Sequence, residues 1–205
     1  MFSETRSAIG DLTIACVLRS GGDFDQEYVE RLRDGVAANL SLPHRFVCLS
    51  DVEVPCERLA LQHGWPGWWS KLELFEQLKG RVLYFDLDTV IAGSLDEIAS
   101  YPHAFSMLSD FSDERRFASG VMAWSGDWSH IAQGFALDRI GDYQSADRWG
   151  DQGWIVERLG RTPDSLQRLF PGQVSSRKLG TRDRRQERVV CFHGVPRPRE
   201  VGWQI

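Results

Sequence analysis

The chain has 205 residues, is 42% hydrophobic and 26% charged, and carries a formal net charge of −5. This is the balance of an ordinary globular domain, and the acidic surplus argues against nucleic acid as a partner, which would call for an excess of Lys and Arg. No apolar run has the length needed to cross a bilayer, so no transmembrane segment is expected. The opening "MFSETRSAIGD" lacks a basic stretch followed by an apolar one, so no secretory signal is read there. The four cysteines are Cys16, Cys48, Cys56 and Cys191, and none forms a C-x-x-C pair. Three of them sit in apolar runs, where free Cys behaves as a small hydrophobe, which implies reduced thiols and a cytoplasmic setting.

In chain order, "TIACVL" from Thr13 reads as a buried strand that runs out into the flexible "RSGGD". A helix follows, capped by Asp23 or Asp25, with Tyr28, Leu32 and Val36 at helical spacing. "RFVCL" predicts a second strand. "PGWWSKLELFEQLKG" predicts a helix begun at Pro66 or Ser70 and stopped by Gly80. "VLYF", apolar on both faces, predicts a central strand covered on both sides. Ser94 and Glu97 have the spacing of a capping box. "AFSML", "GVMAW" and "VVCFH" predict further strands, and helices are expected around Trp128 to Phe135 and around Ile155 to Leu159. Alternating strands and helices imply a single α/β domain over 1–205, layered around a mostly parallel sheet. The basic, aperiodic stretch 175–188 is expected to be an exposed, mobile loop.

The stretch "VLYFDLDTVI" carries the chemistry. An apolar strand runs into Asp86 and Asp88, and residues two apart on a strand share a face. Ligands of open α/β sheets bind beyond the carboxyl ends of strands. Two adjacent carboxylates repel, and one takes up a proton unless a cation lies between them. Hard divalent cations such as Mn²⁺ or Mg²⁺ suit such a pair and leave positions open for phosphate oxygens. The plain structural alternative is a pair of turn-capping aspartates. "FDLDTV" also looks like the motif of haloacid-dehalogenase-type phosphatases, in which the first Asp is the nucleophile. There the motif lies near the N-terminus, whereas some 80 residues precede it here.

Five stretches, in order, resemble the GT-A glycosyltransferases of family 8, the glycogenin-like group of nucleotide-sugar transferases. "WSKLELF" resembles the helix whose basic residue reaches the donor, here Lys71. "LYFDLDTVIAGSLDEI" resembles the D-x-D strand and its following turn. "FASGVMAW" resembles the family's F-N-S-G-V strand, with Ala118 in place of the Asn. "GDQGWI" matches its D-Q-x-x-[LI] helix start, and "FHGVPRP" its C-terminal His segment. The resemblance implies a GT-A-like fold and transfer of a sugar, with retention, from a nucleoside diphosphate donor such as a UDP-sugar. It implies Asp86, Asp88 and His193 as ligands of Mn²⁺ or Mg²⁺, and Asp151 and Gln152 as catalytic groups at the transferred sugar. It implies donor contacts from Lys71, Leu87, Ser119, Gly120 and Gly194, and from Arg197 where the family has Lys.

Two further donor contacts are expected from position alone. Ser20, in the glycine-rich turn after the first strand, lies where a nucleotide would rest, and Tyr28 is placed to stack on its base, although its spacing also suits the core. His44, His63, His103 and His130 have no such context. The acceptor, a glycan or a lipid-linked precursor by analogy, is not legible. A non-catalytic sugar- or nucleotide-binding module on the same scaffold is the alternative to an enzyme.

Overall fold

The computed structural model describes residues 12–179 and 184–203. Among the described residues, ten strands form two sheets. The strands are β1 (Leu12–Leu18), β2 (His44–Ser50), β3 (Glu57–Ala60), β4 (Arg81–Phe85), β5 (Thr89–Ile91), β6 (Phe105–Ser109), β7 (Phe117–Trp124), β8 (Asp164–Ser165), β9 (Val174–Ser176) and β10 (Val189–Cys191). The helices are α1 (Gln26–Asn39), α2 (Glu73–Gln77), α3 (Asp96–Ser100), α4 (Gly150–Leu159) and α5 (Leu166–Leu169), with several 3₁₀ turns. The main sheet has the order β3-β2-β1-β4-β7-β6-β8, and β5-β10-β9 form the second. In the main sheet every pairing is parallel except the two made by β7. The expected α/β fold with a largely parallel sheet is therefore the one observed.

Side-chain alternation fixes which residue faces which layer. On β4, Leu83 and Phe85 point into one core with Ile14, Cys16, α1 and the second sheet. Val82 and Tyr84 point into the opposite core with Phe75, Trp69 and Trp154. Both faces are covered, which is why "VLYF" reads as unbroken apolar. The aromatics of the second core pack ring on ring, with Phe75 at 5.1 Å from Trp124 and Trp69 stacked on Phe135 at 4.8 Å.

Several local expectations change. The segment after Pro66 is a 3₁₀ turn over Gly67–Leu72 before it becomes α2. Ser94 and Glu97 make no capping box. α3 starts later, with Leu95 at its cap position, and the Ser94 hydroxyl accepts only the Asp96 N–H at 3.3 Å. The helix expected across Trp128 to Phe135 is a 3₁₀ turn over Ser129–Ile131. Of the loop expected over 175–188, Ser175 and Ser176 are buried in β9, 184–186 form a helical turn, and 180–183 lie outside the described residues.

Two features aim the chain at one place. First, β7 runs antiparallel to β4, so its beginning lies beside the end of β4, and the Asp86 N–H donates to the Gly120 carbonyl at 2.8 Å. Against β6, Met107 pairs with Met122 but Leu108 pairs with Ala118, leaving Ser119, Gly120 and Val121 as a bulge. Bulges re-aim side chains and gather near functional sites. Second, β5 follows the aspartates directly and pairs with β10, bringing the His193 segment to the same end of the sheet. Phe75→Ala, which empties the centre of the aromatic core, should cost about 3–5 kcal/mol in urea unfolding. A loss under 1 kcal/mol would mean that this core is not where the fold holds.

Candidate active site

Tyr84 faces the second core, so Asp86, two residues on, continues on that face, where the Gly67–Leu72 turn packs. The turn supplies Lys71, which is buried. Its ammonium lies 2.8 Å from Asp86 Oδ1 and 3.0 Å from Oδ2, 3.2 Å from Ser119 Oγ and 3.6 Å from Asp151 Oδ2. The Ser119 hydroxyl donates to Asp151 at 2.6 Å, and the Tyr84 hydroxyl donates to Asp86 at 2.5 Å. Burial works against the Lys71 charge, but Asp151 and Asp86 outweigh it and hold its pKa above the ordinary lysine value. For Asp151 burial wins, against Lys71 and Ser119, and its carboxyl is pushed up.

Asp86 and Asp88 lie on a tight turn rather than within a strand, with the Thr89 N–H donating to the Asp86 carbonyl at 3.0 Å. Both line one cavity of about 640 Å³. Asp88 takes Arg197 Nη1 at 2.6 Å, and the same guanidinium reaches Asp23 at 2.9 Å and lies 4.8 Å over the Phe24 ring. Burial, and then the charge of Asp86, push Asp88 up to about 6 despite Arg197. Gly194, at φ 97°, turns the chain so that its N–H faces Asp88, and a Cβ there would meet Lys178 Nζ at 3.0 Å. His193 stacks on Phe111 at 5.4 Å and shares a 2.6 Å hydrogen bond between Nε2 and Ser176 Oγ. Partial desolvation, and then the nearby Lys178 charge, lower the His193 pKa.

Of the residues expected at a donor site, Lys71, Asp86, Leu87, Asp88, Ser119, Gly120, Asp151, Gln152, His193, Gly194 and Arg197 all line this cavity. Leu87 does so while its side chain belongs to the core. Two do not. Tyr28 is only 2% exposed, wedged between Phe24 and Trp203, so no base can stack on it. Ser20 lies outside the cavity, its N–H and hydroxyl both bound to Asp51 at 2.8 and 2.6 Å. Phe24, Trp68 and Trp149 line the cavity unforeseen. The signal available in the sequence was its excess of tryptophan, eight in 205 residues. Trp68 and Trp149 are each 50% exposed, and Gly150, at φ 61°, is the close approach between them, its would-be Cβ 3.2 Å from the Trp68 indole nitrogen.

The metal expectation meets an obstacle in the pairing. Among the described residues no three His, Cys, Asp or Glu side chains gather as a cation cage. Lys71 holds Asp86, Arg197 holds Asp88, and Ser176 holds the His193 nitrogen. As arranged, all three predicted ligands are already paired and do not fit a divalent ion, and of these pairs the one on Asp88 also reaches the exposed Asp23.

No protein-family model and no curated protein sequence matches the chain. Solved structures do. The galactosyltransferase LgtC in complex with donor and acceptor sugar analogs is 15% identical, with a TM-score of 0.64 over 91% of this chain and 88% of that one. The apo glycosyltransferase GlyE of Streptococcus pneumoniae TIGR4 is 13% identical, with a TM-score of 0.68 over 94% of this chain and 59% of that one. The bifunctional glycosyltransferase WbbM, in its apo form, is 11% identical, with a TM-score of 0.59 over 92% of this chain and 46% of that one. The chain thus has the fold of these glycosyltransferases and spans most of the first but only about half of the others. Among the described residues no helix is long and apolar enough to cross a membrane.

Two outcomes follow from the charges. Lys71→Ala leaves Asp86 and Asp151 facing each other without a counter-ion, and should cost about 3–5 kcal/mol in denaturant unfolding. A loss below 1 kcal/mol would show that the ammonium is not holding them. The second concerns pH. Asp88 has a raised folded pKa, near 6, against about 3.9 unfolded. The folded state therefore binds more protons between these values, and this residue's contribution to stability grows as pH falls from about 6 to about 4. The stability of wild type relative to Asp88→Asn should rise over that window and level off below it. A flat difference from pH 7 to pH 4 would refute the raised value.

Proposed function

We propose that the cavity binds a nucleoside diphosphate sugar, with UDP as the nucleotide, and that the protein is a glycosyltransferase passing the sugar to an acceptor with retention. One observation carries this reading. Four stretches far apart in sequence, those of Lys71, Asp86, Ser119 and Asp151, converge on a single buried ammonium inside the cavity. These stretches also carry the sequence resemblance to donor-binding motifs, and the fold similarity to solved glycosyltransferases supports the same class.

In this proposal the sugar sits over Asp151 and Gln152. Breaking the bond between the anomeric carbon and the diphosphate oxygen puts negative charge on the departing phosphate and positive charge on the ring, and the acceptor hydroxyl oxygen then bonds that carbon while its proton passes to the phosphate oxygen. Arg197, with the exposed Lys178 beside Gly194, meets the phosphate charge by charge-assisted contacts. Asp151, anchored by Ser119 and Lys71, stands on the side where the ring charge develops. Its fixed position costs no reorganisation during reaction. The diphosphate draws Arg197 away from Asp23 and Asp88. Asp88 would hold a divalent cation only in place of Arg197.

The phosphatase alternative has less support. The D-x-D lies on the turn after β4, beside β1 and deep in the sheet order, and the would-be nucleophile Asp86 is already bound by Lys71 and Tyr84. The test is to incubate the protein with a panel of nucleotide sugars and measure free nucleoside diphosphate. Slow release from a UDP-sugar is expected, with no phosphate liberated from simple monoesters. Asp151→Asn should slow release at least tenfold while UDP still binds. Phosphate release from monoesters, or no nucleotide binding at all, would sink the proposal.

The Arg197 pairing gives a separate expectation. Arg197→Ala leaves the buried Asp88 without its counter-ion, and Mn²⁺ should then bind more tightly than to wild type when titrated by calorimetry without nucleotide. Unchanged affinity would mean that the guanidinium does not guard the carboxylate.

A further inference from the structure

The cavity has two unlike walls. One carries the ionic cluster around Lys71. The other belongs to the first hydrophobic core: Leu108, Phe111 and Ala118 pack in that core and also line the cavity. Leu108 and Ala118 are partners across the bulge between β6 and β7, and Phe111 stacks on His193. The two walls meet at Gly120. A Cβ there would stand 3.4 Å from Leu108 Cδ1 and 3.5 Å from Asp86 Oδ2.

This apolar wall adjoins the place where the sugar is proposed to react. Ala118 directly precedes Ser119, whose hydroxyl holds Asp151 at 2.6 Å. Ala118 and Gly120 are both partly exposed, and neither has a side chain that can hydrogen-bond. Nearby, Asp110 commits Oδ1 to the N–H groups of Ser112 and Asp113, at 2.7 and 3.0 Å. A sugar hydroxyl turned toward Ala118 therefore meets a methyl group, and it loses water there without gaining a partner, which is costly. A methyl group turned the same way meets a surface of its own kind. Apolar sites distinguish ligands that differ by a single carbon by about 10- to 200-fold.

We propose that Ala118, with Leu108 and Phe111, selects a donor whose sugar carries a methyl group, in an acetamido or a 6-deoxy substituent, over the matching plain hexose. This rests on the donor reading above and deepens it by naming the class of sugar. Asp151 and Lys71 keep the roles already given to them, and the methyl lies across the cavity from the ammonium.

The experiment is calorimetric titration of the full chain with Mn²⁺ present throughout. The ligands are UDP, UDP-glucose, UDP-galactose, UDP-N-acetylglucosamine, UDP-N-acetylgalactosamine and UDP-6-deoxyglucose. Each methyl-bearing sugar is compared with its own hexose. At least one should bind tenfold more tightly, and the pair that differs tells whether the wall takes the acetamido or the 6-deoxy methyl. Ala118→Asn, which sets an amide on the wall, should cut that ratio at least fivefold. Ala118→Ser, nearly the size of alanine, should cut it in the same direction and serves if the amide does not fit. Thermal midpoints near that of wild type show that the variants are folded. The assignment is overturned if every matched pair binds within twofold, if the hexoses bind more tightly, or if both variants leave the ratio unchanged. UDP alone reports the donor reading separately. If UDP binds and the matched sugars tie, only the wall assignment falls; if UDP does not bind, the donor reading falls and takes this one with it.

Discussion

A buried lysine ammonium is the point on which this structure depends. An isolated cation out of water is costly, and it persists only where carboxylates and hydroxyls surround it. Lys71 has Asp86, Asp151 and Ser119 within 3.6 Å, each delivered by a different element. The 3₁₀ turn that carries Lys71, the end of β4, the bulge of β7 and the start of α4 are tied together by electrostatics where the hydrophobic layers end. The pairing is also mutual, because without the ammonium the two carboxylates would repel in a low-dielectric pocket. Structure and chemistry therefore rest on the same group. The residues that orient a reacting sugar in the proposed transfer are held still by the contact that joins the elements.

Next to this cluster stands a second ion pair of a different character. Arg197 is shared between Asp88 inside the cavity and the mostly exposed Asp23 at its edge, and it also covers Phe24. One end of the guanidinium holds a buried carboxylate and the other an exposed one. Lys71 is enclosed by its partners, whereas Arg197 also holds the mostly exposed Asp23, and that half of its pairing can be exchanged at modest cost, since exposed pairs contribute little. The cavity thus has a fixed cation on its inner wall and an exchangeable one at its mouth, a division suited to a ligand whose charged part must enter and leave.

Much of this was legible in the residues. The D-x-D stood out because an unbroken apolar run ended in two charges, and a strand covered on both faces has no reason to end so unless the charges face a cavity. The long strands and α1 followed from periodicity, and the N-cap at Asp25 from local chemistry, its side chain accepting the Glu27 N–H at 3.0 Å. The features that were not legible are those set by tertiary contacts. Strands of two or three residues such as β8, β5 and β9 carry too few positions to show a period. The bulge that aims Ser119 exists only relative to β6. Tyr28 was placed at the nucleotide by position in the chain, yet its helical spacing with Leu32 and Val36 was the better guide, and it packs in the core with them. Ser20 opens a glycine turn that suits a ligand, but its hydroxyl is bound to Asp51, just past the end of the neighbouring strand.

The pairing of β5 with β10 has a consequence for how the molecule is made. Asp88 and Arg197 are 109 positions apart, and β10 joins the second sheet only after nearly all the described chain is available. Contacts of such separation form late, because closing a long loop must precede any gain from it. During synthesis the D-x-D leaves the ribosome well ahead of the segment that completes the cavity, and it has no guanidinium partner in that interval. A nascent chain thus has only part of the cavity wall. Competence arrives in one late step, when the last strand docks, so that ligand binding reports on completed folding rather than on the partial domain that precedes it.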